Sequence, residues 1–479
     1  MKNHIGLKII LLLLIFSWKS ISANVTIEGT ATDYAGKTIE FLTYSNQIAY
    51  TEKKLASIKV DPNGAFFASL NIDQTELIFV HVGVYFLFLY AEPGTKYIIQ
   101  LPPWEDKKPQ EKLNPYFEER QVHLVIQQCL RNNRSIPLQE ELNFYIRSFD
   151  DYYGPYMAKY AMNVATQREV ADRDSTIIKI EALFPDKENK FYNNYKDYKM
   201  GFLQLMSLQN KSRAISNKYF LNRPILYNQP AYTELFNQVY DKYLVYFGRT
   251  NNGKAIYEDI NFSKSFSKLK QTLSQDNVLK NDSLIEFVIL KGLHDGFYAT
   301  DFSRGALLTV LDSLIEKTNI PVHKEIGLQI REKVTRLLTG YRPPDFKLYD
   351  QLGNLKSLDD FKGKYTYIMF CTTQNYACIT EFEQIKKLYQ KHSDKLNIVT
   401  ILADDNFNES KKFITGKKLP WTFLHYGNTP EVLKEYDIRA FPTYFLINKE
   451  GKMAISPAPS PSENFEISFF NELRAKGIL

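Results

Sequence analysis

The sequence predicts a multidomain protein with three parts of different fold class. These are an antiparallel β-sandwich over residues 24–104, a helical domain over 105–340 and a mixed α/β domain over 341–479. Three observations support this division. The chain has 479 residues, more than one hydrophobic core normally serves. Apolar residues alternate with polar ones near the start and then recur with a helical period. Towards the end, short predicted strands and helices follow one another.

The first 23 residues have the pattern of an export signal. Lys2 and Lys8 flank the start, residues 9–16 form an apolar core, and Ile21-Ser22-Ala23 is typical of a cleavage site with small residues. We therefore expect cleavage after Ala23 and a mature protein in the periplasm or cell envelope. The alternative is a retained N-terminal anchor. Because the apolar core is too short to span a bilayer, we expect no integral membrane segment after cleavage.

Charge and cysteine content exclude two classes of protein. The formal net charge is +6, and the export signal contains three lysines and no acidic residue, so the mature chain carries +3. This small excess does not indicate nucleic-acid binding. Cys129, Cys371 and Cys378 are too few for a disulfide framework, and at least one must stay free or pair outside the chain. The seven histidines show no metal-ligand spacing, so we expect neither a metal nor a cofactor.

The segment 24–104 is predicted to consist of short strands. Ile39 and Phe41 alternate with polar neighbours, and the sequence Asp61-Pro-Asn-Gly64 is a strong turn signal between alternating segments. Residues 77–90 are mostly apolar but too few for a membrane span. They predict either two buried strands or one long strand. A small antiparallel sandwich follows from this pattern.

From about residue 105 to 339 the apolar period is helical. One stripe contains Leu307, Val310, Leu311 and Leu314, and a second runs through residues 326–338 and ends before Gly340. Many tyrosines and phenylalanines in this segment have spacings compatible with a core. We therefore interpret them as packing residues rather than as an aromatic ligand cage.

The motif Tyr341-Arg-Pro-Pro-Asp-Phe346 marks the third domain, because two prolines end the preceding helix. Strands and helices then alternate. Strands are predicted at 347–349, 365–371, 396–402, 421–425, 443–447 and 453–455, and helices at 376–391, 409–415, 431–436 and 464–476. Right-handed crossovers predict a mixed sheet that is covered on both faces.

A polar loop, Thr372-Thr-Gln-Asn375, joins the strand at 365–371 to an amphipathic helix that begins Tyr376-Ala-Cys378. This segment resembles the Trp-Cys-Pro-Pro-Cys loop of the TlpA/ResA-like thioredoxins, with Gln374 at the tryptophan, Asn375 at the first cysteine and Cys378 at the second. Other landmarks of that family follow the same order along the chain: Pro344-Asp345-Phe346, Phe361-Lys-Gly-Lys364, Pro420-Trp421, Phe441-Pro442-Thr443 and the hairpin ending at Gly451.

The resemblance implies a thioredoxin-like fold in which Pro442 is cis and faces the loop from Asn375 to Cys378. Residues 1–340 resemble, less sharply, the sandwich-plus-helices extension that precedes such domains in some cell-envelope proteins. In the family's intact motif the first cysteine attacks a client disulfide and the second resolves the mixed disulfide. Since Asn375 stands at the first position, the resemblance implies at most monothiol activity through Cys378.

Two residues of this degenerate motif each have two interpretations. Asn375 is either an ordinary helix N-cap or a catalytic amide. Cys378, in the first helical turn, is either a thiolate favoured by the helix dipole or an inert cysteine packed on Phe382 and Ile385. Cys371 stands where the family has a tryptophan at the strand end. We expect no disulfide between Cys371 and Cys378, which lie seven residues apart across a strand-to-helix turn.

The buried acid that assists proton transfer in many thioredoxins has no counterpart, because Met369 stands at its position. A peroxiredoxin interpretation is disfavoured. Its threonine position holds Asn375, and its activating arginine position falls on Pro442.

Two function classes remain open. The protein is either a thiol-disulfide oxidoreductase relative or a non-redox envelope protein that binds a protein or peptide client. For the second class we expect a groove between Gln374, Asn375 and Tyr376 on one side and Phe441 and Pro442 on the other, with the Phe441 side chain at the surface. The alternative is that Phe441 and Tyr376 pack on each other and close the groove.

Overall fold

A computed structural model describes residues 23–166, 173–206, 212–427 and 431–478. The predicted export signal lies outside the described residues except for Ala23, which begins the first strand. The predicted order of β-rich, helical and thioredoxin-like parts is confirmed.

The N-terminal part is a sandwich of two five-stranded sheets, with strand orders β10-β9-β7-β1-β4 and β3-β2-β5-β6-β8. Its strands are β1 Ala23–Thr30, β2 Thr38–Asn46, β3 Thr51–Lys59, β4 Ala65–Ile72, β5 Glu76–Val82, β6 Tyr85–Ala91, β7 Thr95–Gln100, β8 Arg120–His123, β9 Val125–Arg131 and β10 Arg134–Ile136. Most neighbouring strands are antiparallel, while the pairs β1–β7 and β6–β8 are parallel.

The strict alternation of buried and exposed residues along β4 explains why this segment folds against a core on one face only. The apolar segment 77–90 forms two strands, β5 and β6, which confirms the first of its two interpretations. They meet at Gly83, whose φ is +55°. A Cβ there would lie 2.1 Å from the carbonyl oxygen of Glu105, so the tight turn requires glycine.

The two sheets continue beyond residue 104, where the sequence predicts that helices begin. β8, β9 and β10 lie between residues 120 and 136 and add to the edges of both sheets. β8 and β10 are short, mostly polar edge strands, and in β9, between β10 and β7, only Cys129 is buried. Because these strands lack a regular alternation of apolar and polar residues, the pattern of the sequence does not reveal them.

Helices α1 to α12 follow from the end of β7 to residue 335. They are α1 Pro109–Lys112, α2 Leu142–Ala165, α3 Arg173–Leu183, α4 Lys190–Leu205, α5 Ser212–Tyr219, α6 Pro230–Val239, α7 Tyr243–Gly248, α8 Ile256–Asn261, α9 Phe266–Leu273, α10 Asp282–Phe297, α11 Arg304–Lys317 and α12 Pro321–Thr335. The aromatic residues pack as a core: the ring of Phe220 contacts those of Tyr232, Phe236 and Tyr240. Their interpretation as packing residues is confirmed.

A buried carboxylate joins three elements of the helical part. Asp276, just before α10, accepts hydrogen bonds from Arg213 Nη1 at 2.9 Å and Arg213 Nη2 at 2.8 Å. It also accepts one from the Tyr243 hydroxyl and one from the backbone N–H of Val278 at 3.1 Å. Burial raises the pKa of Asp276, but the hydrogen bonds from Arg213 and Tyr243 outweigh it and hold the pKa below its usual value.

The C-terminal domain is a five-stranded mixed sheet with the order β15-β14-β13-β16-β17, flanked by helices. Its elements are β11 Leu348–Tyr349, β12 Leu355–Lys356, β13 Tyr365–Cys371, α13 Tyr376–His392, β14 Leu396–Leu402, α14 Phe407–Lys417, β15 Thr422–His425, α15 Glu431–Glu435, β16 Thr443–Ile447, β17 Met453–Ala458 and α16 Phe465–Ala475. β13 runs parallel to β14 and antiparallel to β16. All seven residues of β13 are buried because apolar clusters cover both faces, as predicted.

The junction between the helical and C-terminal parts is held by backbone pairing. The N–H of Gly340 donates to the Met453 carbonyl at 2.7 Å, and the N–H of Met453 donates to the Tyr341 carbonyl at 2.8 Å. Leu337 and Leu113, from earlier parts of the chain, pack against the core of the C-terminal domain. An ion pair between Arg336 and Glu435 at 3.0 Å adds a further contact. The C-terminal domain therefore packs directly against the preceding chain, in addition to being joined to it through the backbone.

Candidate active site

The loop 372–375 lies at the carboxyl end of β13, the central strand of the C-terminal sheet. Asp404 follows the neighbouring parallel strand β14, so the carboxyl ends of β13 and β14 lie at the same edge of the sheet. The N–H of Thr373 donates to Asp404 Oδ1 at 2.9 Å and to Oδ2 at 3.2 Å, while Ser410 donates to Oδ2 at 2.8 Å. The buried carboxylate of Asp404 therefore fixes the start of the loop.

Asn375 is the N-cap of α13. Its Oδ1 accepts hydrogen bonds from the N–H of Ala377 at 2.9 Å and of Cys378 at 3.3 Å. Such a cap typically stabilises a helix by about 1 kcal/mol. The capping interpretation of Asn375 is confirmed. Its amide nitrogen has a second role, since Nδ2 lies 3.4 Å from the carbonyl oxygen of Phe441 and donates to it.

This contact places the Phe441–Pro442 loop against the loop 372–375. The peptide bond between Phe441 and Pro442 is cis. The Phe441 side chain is half-buried and packs against the apolar clusters on both sides of the sheet. The expected surface position of this side chain is therefore only partly met, because the loop before β16 brings the ring into contact with both clusters.

Tyr376 projects from the first turn of α13, and 84% of its surface is exposed. Gln374, beside it, is also exposed. A tyrosine with this exposure is not packed on Phe441, so the alternative in which the two rings close the groove is wrong. Gln374, Asn375 and Tyr376 thus form a rim that is exposed at Gln374 and Tyr376 and contacts the Phe441–Pro442 loop through Asn375.

A cavity of about 390 Å³ adjoins the groove on the side of Phe441. Its other walls come from Ile438 and Arg439 and from residues 110–116 in the connection between the β-strands and the long helices. The guanidinium of Arg439 lies 5.4 Å from the ring centre of Tyr116. Sequence reasoning missed this wall, because no local pattern links residues separated by more than three hundred positions.

Cys378 is fully buried and packs in the cluster that contains Phe382 and Ile385, as the inert interpretation expects. A hydrogen bond from the Cys371 thiol, assisted by the backbone amide of Thr372, holds the pKa of Cys378 below its usual value although burial opposes this. Burial and the neighbouring Cys378 raise the pKa of Cys371 well above its usual value. The structure therefore confirms that Cys378 packs in the core with Phe382 and Ile385, while its reactivity stays a prediction.

In the parts of the chain that the structure describes, no group of three or more His, Cys, Asp or Glu residues is placed to hold a metal ion. Within the same ranges, no helix has both the length and the apolar composition needed to cross a bilayer.

Comparisons with known proteins agree on the C-terminal domain. Residues 339–456 match the AhpC/TSA family. The thiol-disulfide oxidoreductase ResA of Bacillus thuringiensis is 30% identical over 122 residues, which are 25% of this chain and 70% of that protein. The thioredoxin-like protein YneN of Bacillus subtilis is 27% identical over 131 residues, 27% of this chain and 71% of that protein.

Among solved structures, the thioredoxin domain of a thiol-disulfide oxidoreductase from Bacteroides vulgatus is 28% identical. The match covers 28% of this chain and 98% of that one, with a TM-score of 0.27. ResA is matched over more than two thirds of its length. Through its C-terminal domain, the chain therefore belongs to the family of ResA-like thiol-disulfide oxidoreductases.

Proposed function

We propose that the protein is an exported member of this family that binds an extended segment of a protein client without Cys-x-x-Cys chemistry. The client would lie between the rim formed by Gln374, Asn375 and Tyr376 and the Phe441–Pro442 loop. One observation carries the proposal. The Asn375 amide joins the two loops at 3.4 Å while Tyr376 beside it stays 84% exposed, so this ring is accessible to a client next to the Phe441–Pro442 loop.

The chemistry of the groove suits a polypeptide. Its rim offers amides and an aromatic ring, and the backbone beside Pro442 can pair with an extended chain by strand addition. The cavity of about 390 Å³ next to Phe441 is large enough to receive a side chain of the client. Leu113, Ile438 and Phe441 at this cavity favour an apolar side chain there, since Arg439 is already paired with Asp437 at 3.3 Å.

The absence of a thiol at Asn375 and the burial of Cys378 favour client binding over rapid disulfide exchange. The amide of Asn375 cannot attack a disulfide, and the sulfur that follows it, on Cys378, is buried. Peroxide reduction is not favoured either. Asn375 uses its side chain to cap α13, and Pro442 offers no cation to activate a peroxide.

Replacement of Tyr376 tests client binding. With reduced, alkylated and fluorescently labelled lysozyme as an unfolded client without free thiols, Tyr376→Ala is expected to raise Kd at least about tenfold, or ~1.4 kcal/mol. Fluorescence anisotropy measures this. The melting temperature should stay close to that of the wild type, because the ring is exposed and contributes little to the core.

Tyr349→Ala is the matched control, since this tyrosine is 60% exposed on β11 of the same domain. Its Kd should stay within about twofold of the wild type. Equal losses in both variants, or a wild type that does not bind the unfolded client, would contradict the proposed groove.

The export part of the proposal concerns the first 23 residues. If residues 9–16 and Ala23 form a signal with its cleavage site, the mature chain begins at Asn24. N-terminal sequencing of protein from the cell-envelope fraction checks this. The variant Ala23→Arg, which places a bulky charge at the cleavage site, should keep the signal. Envelope protein that still begins at Met1 in the wild type would refute cleavage.

A further inference from the structure

A second cavity lies between the β-sandwich and the helical part of the chain. Its volume is about 600 Å³, within the range of about 300–1,000 Å³ that is typical of small-molecule sites. The sandwich supplies residues 43–48, Lys53 and residues 73–76, from β2, β3, β5 and the turns beside them. The helical part supplies the segment 225–229 and residues of α4, α6, α10 and α12. The cavity is thus built from two parts of the chain.

Hydrogen bonds between these two parts hold the walls of the cavity in place. Asn228 Nδ2 donates to Glu76 Oε1 at 3.4 Å, and both residues line the cavity. Asn237 Nδ2, on α6, donates to the carbonyl oxygen of Gln47 at 3.2 Å. Because the walls are already joined, a ligand would not have to order them, which lowers the cost of binding.

Neutral groups that both donate and accept hydrogen bonds dominate the lining. Six lining residues are asparagine or glutamine, and four are serine or threonine. The charged residues are Lys53 and three acids, Asp73, Glu76 and Glu325, so the lining disfavours phosphates and other anions. Asp73 and Glu325 are exposed, where solvent screens their charge. A neutral ligand with many hydroxyls matches this lining, since each hydroxyl both donates and accepts.

Gln229 places an unused acceptor in the wall of this cavity. The residue is 3% exposed, and its Nε2 donates to the carbonyl oxygen of Phe191 at 2.9 Å. Its Oε1 is buried and has no hydrogen-bond partner within the described ranges. Leaving a buried acceptor unpaired costs about 1–3 kcal/mol. A ligand hydroxyl that donates to Oε1 would recover this energy.

Two aromatic side chains give the cavity an apolar surface. Phe191 and Tyr227 are half-buried, pack against the core of the helical part and line the cavity. The Tyr227 hydroxyl is hydrogen-bonded to His323 Nε2 at 2.8 Å, which fixes the orientation of its ring. A sugar ring has faces of C–H groups and hydroxyls around its edge. It can therefore pack on an aromatic face while its hydroxyls bond to neighbouring amides.

We propose that this cavity binds a short neutral saccharide. The saccharide packs on the aromatic surface of Phe191 and Tyr227, and one of its hydroxyls donates to Gln229 Oε1. The lining amides, among them Asn194 and Asn228, bond to its other hydroxyls. This binding does not rest on the proposed capture of a protein client, because the residues of the two sites differ.

An array of neutral, sialylated and sulfated oligosaccharides, probed with the fluorescently labelled mature chain, tests this binding. The protein should bind neutral saccharides in preference to the anionic ones. Isothermal titration calorimetry with the neutral saccharide that gives the strongest signal then measures Kd for the wild type and for the variants.

Gln229→Leu should raise this Kd about tenfold or more, because a ligand hydroxyl loses its buried acceptor. Asn194→Ala, which removes a half-buried lining amide from α4, should raise Kd about fivefold and leave the melting temperature nearly unchanged. Asn217→Ala is the matched control, since this asparagine is exposed on α5 outside the lining, and its Kd should stay within about twofold. Tyr376→Ala should also keep saccharide binding, which separates this site from the groove.

The proposal is overturned if no neutral saccharide of the array binds or if the anionic ones are preferred. It is equally overturned if Asn194→Ala binds the saccharide as tightly as the wild type does. Displacement of the saccharide by the alkylated, unfolded lysozyme would assign the cavity to a peptide instead. Because Asn194→Ala and the array decide between these outcomes, the proposal stays falsifiable even if Gln229→Leu fails to fold.

Discussion

Asn375→Cys is expected to raise the turnover of the protein in an insulin reduction assay by about tenfold or more, because it supplies an attacking thiol at a half-exposed position. The new sulfur would replace the Asn375 oxygen that now accepts from the amides of Ala377 and Cys378. These amides and the helix dipole favour a thiolate at this position. Cys378, three residues later, can then resolve the mixed disulfide.

The substitution also removes the cap of α13 and the contact with Phe441, so the free energy of unfolding should fall by about 1 kcal/mol. Two controls isolate the thiol. Asn375→Ser keeps a capping side chain and should turn over insulin at the wild-type rate, and so should the double variant Asn375→Cys/Cys378→Ala. A wild-type protein that already matches Asn375→Cys, and loses this activity in Cys378→Ala, would contradict the expectation.

Asp276→Ala is expected to cost about 3–5 kcal/mol of unfolding free energy, the range for breaking a buried ionic network. The Asp276 side chain is fully buried, and its removal leaves the Tyr243 hydroxyl and the Val278 amide without an acceptor. Because Arg213 is 58% exposed and its charge can be solvated by water, we expect the lower end of this range. Urea denaturation followed by circular dichroism measures the change.

Asp282→Ala is the matched control. Its carboxylate is 79% exposed and pairs with Lys270 at 3.1 Å, so its loss should cost less than about 1 kcal/mol. The effect of Asp276 also depends on pH. Since its folded pKa lies below 3.8, its contribution is complete above that pH and is lost as pH falls through the folded value. If the difference in unfolding free energy between the wild type and Asp276→Ala stays the same at lower pH, this explanation is excluded.

The C-terminal domain was predictable because its signals are local. β13 is a continuous apolar run, as expected of a strand buried on both faces, and its prediction at residues 365–371 is confirmed. Asn375 was identifiable as a cap from its residue type and its place before an amphipathic helix. The turn at Gly451, where φ is +78°, follows from a residue type that accepts this conformation.

The other features of the fold and site depend on contacts between distant parts of the chain, which the spacing of apolar and polar residues does not reveal. The strands β8 to β10 lack a regular alternation of apolar and polar residues, so their sheet partners rather than their own pattern define them. The burial of Cys371 and Cys378 in one cluster depends on the path of the loop 372–375, which Asp404 fixes from another strand. The wall formed by residues 110–116 requires docking of whole domains.

The backbone pairing of Gly340 and Tyr341 with Met453 also bears on the order of events during synthesis. Leu113, Leu337 and the junction leave the ribosome before most of the C-terminal sheet, yet they complete its hydrophobic cluster. Since domains generally fold as units from the N-terminus, the last domain would condense on a surface that is already in place. The preceding chain would thus serve as a template for the domain that carries Asn375 and Cys378.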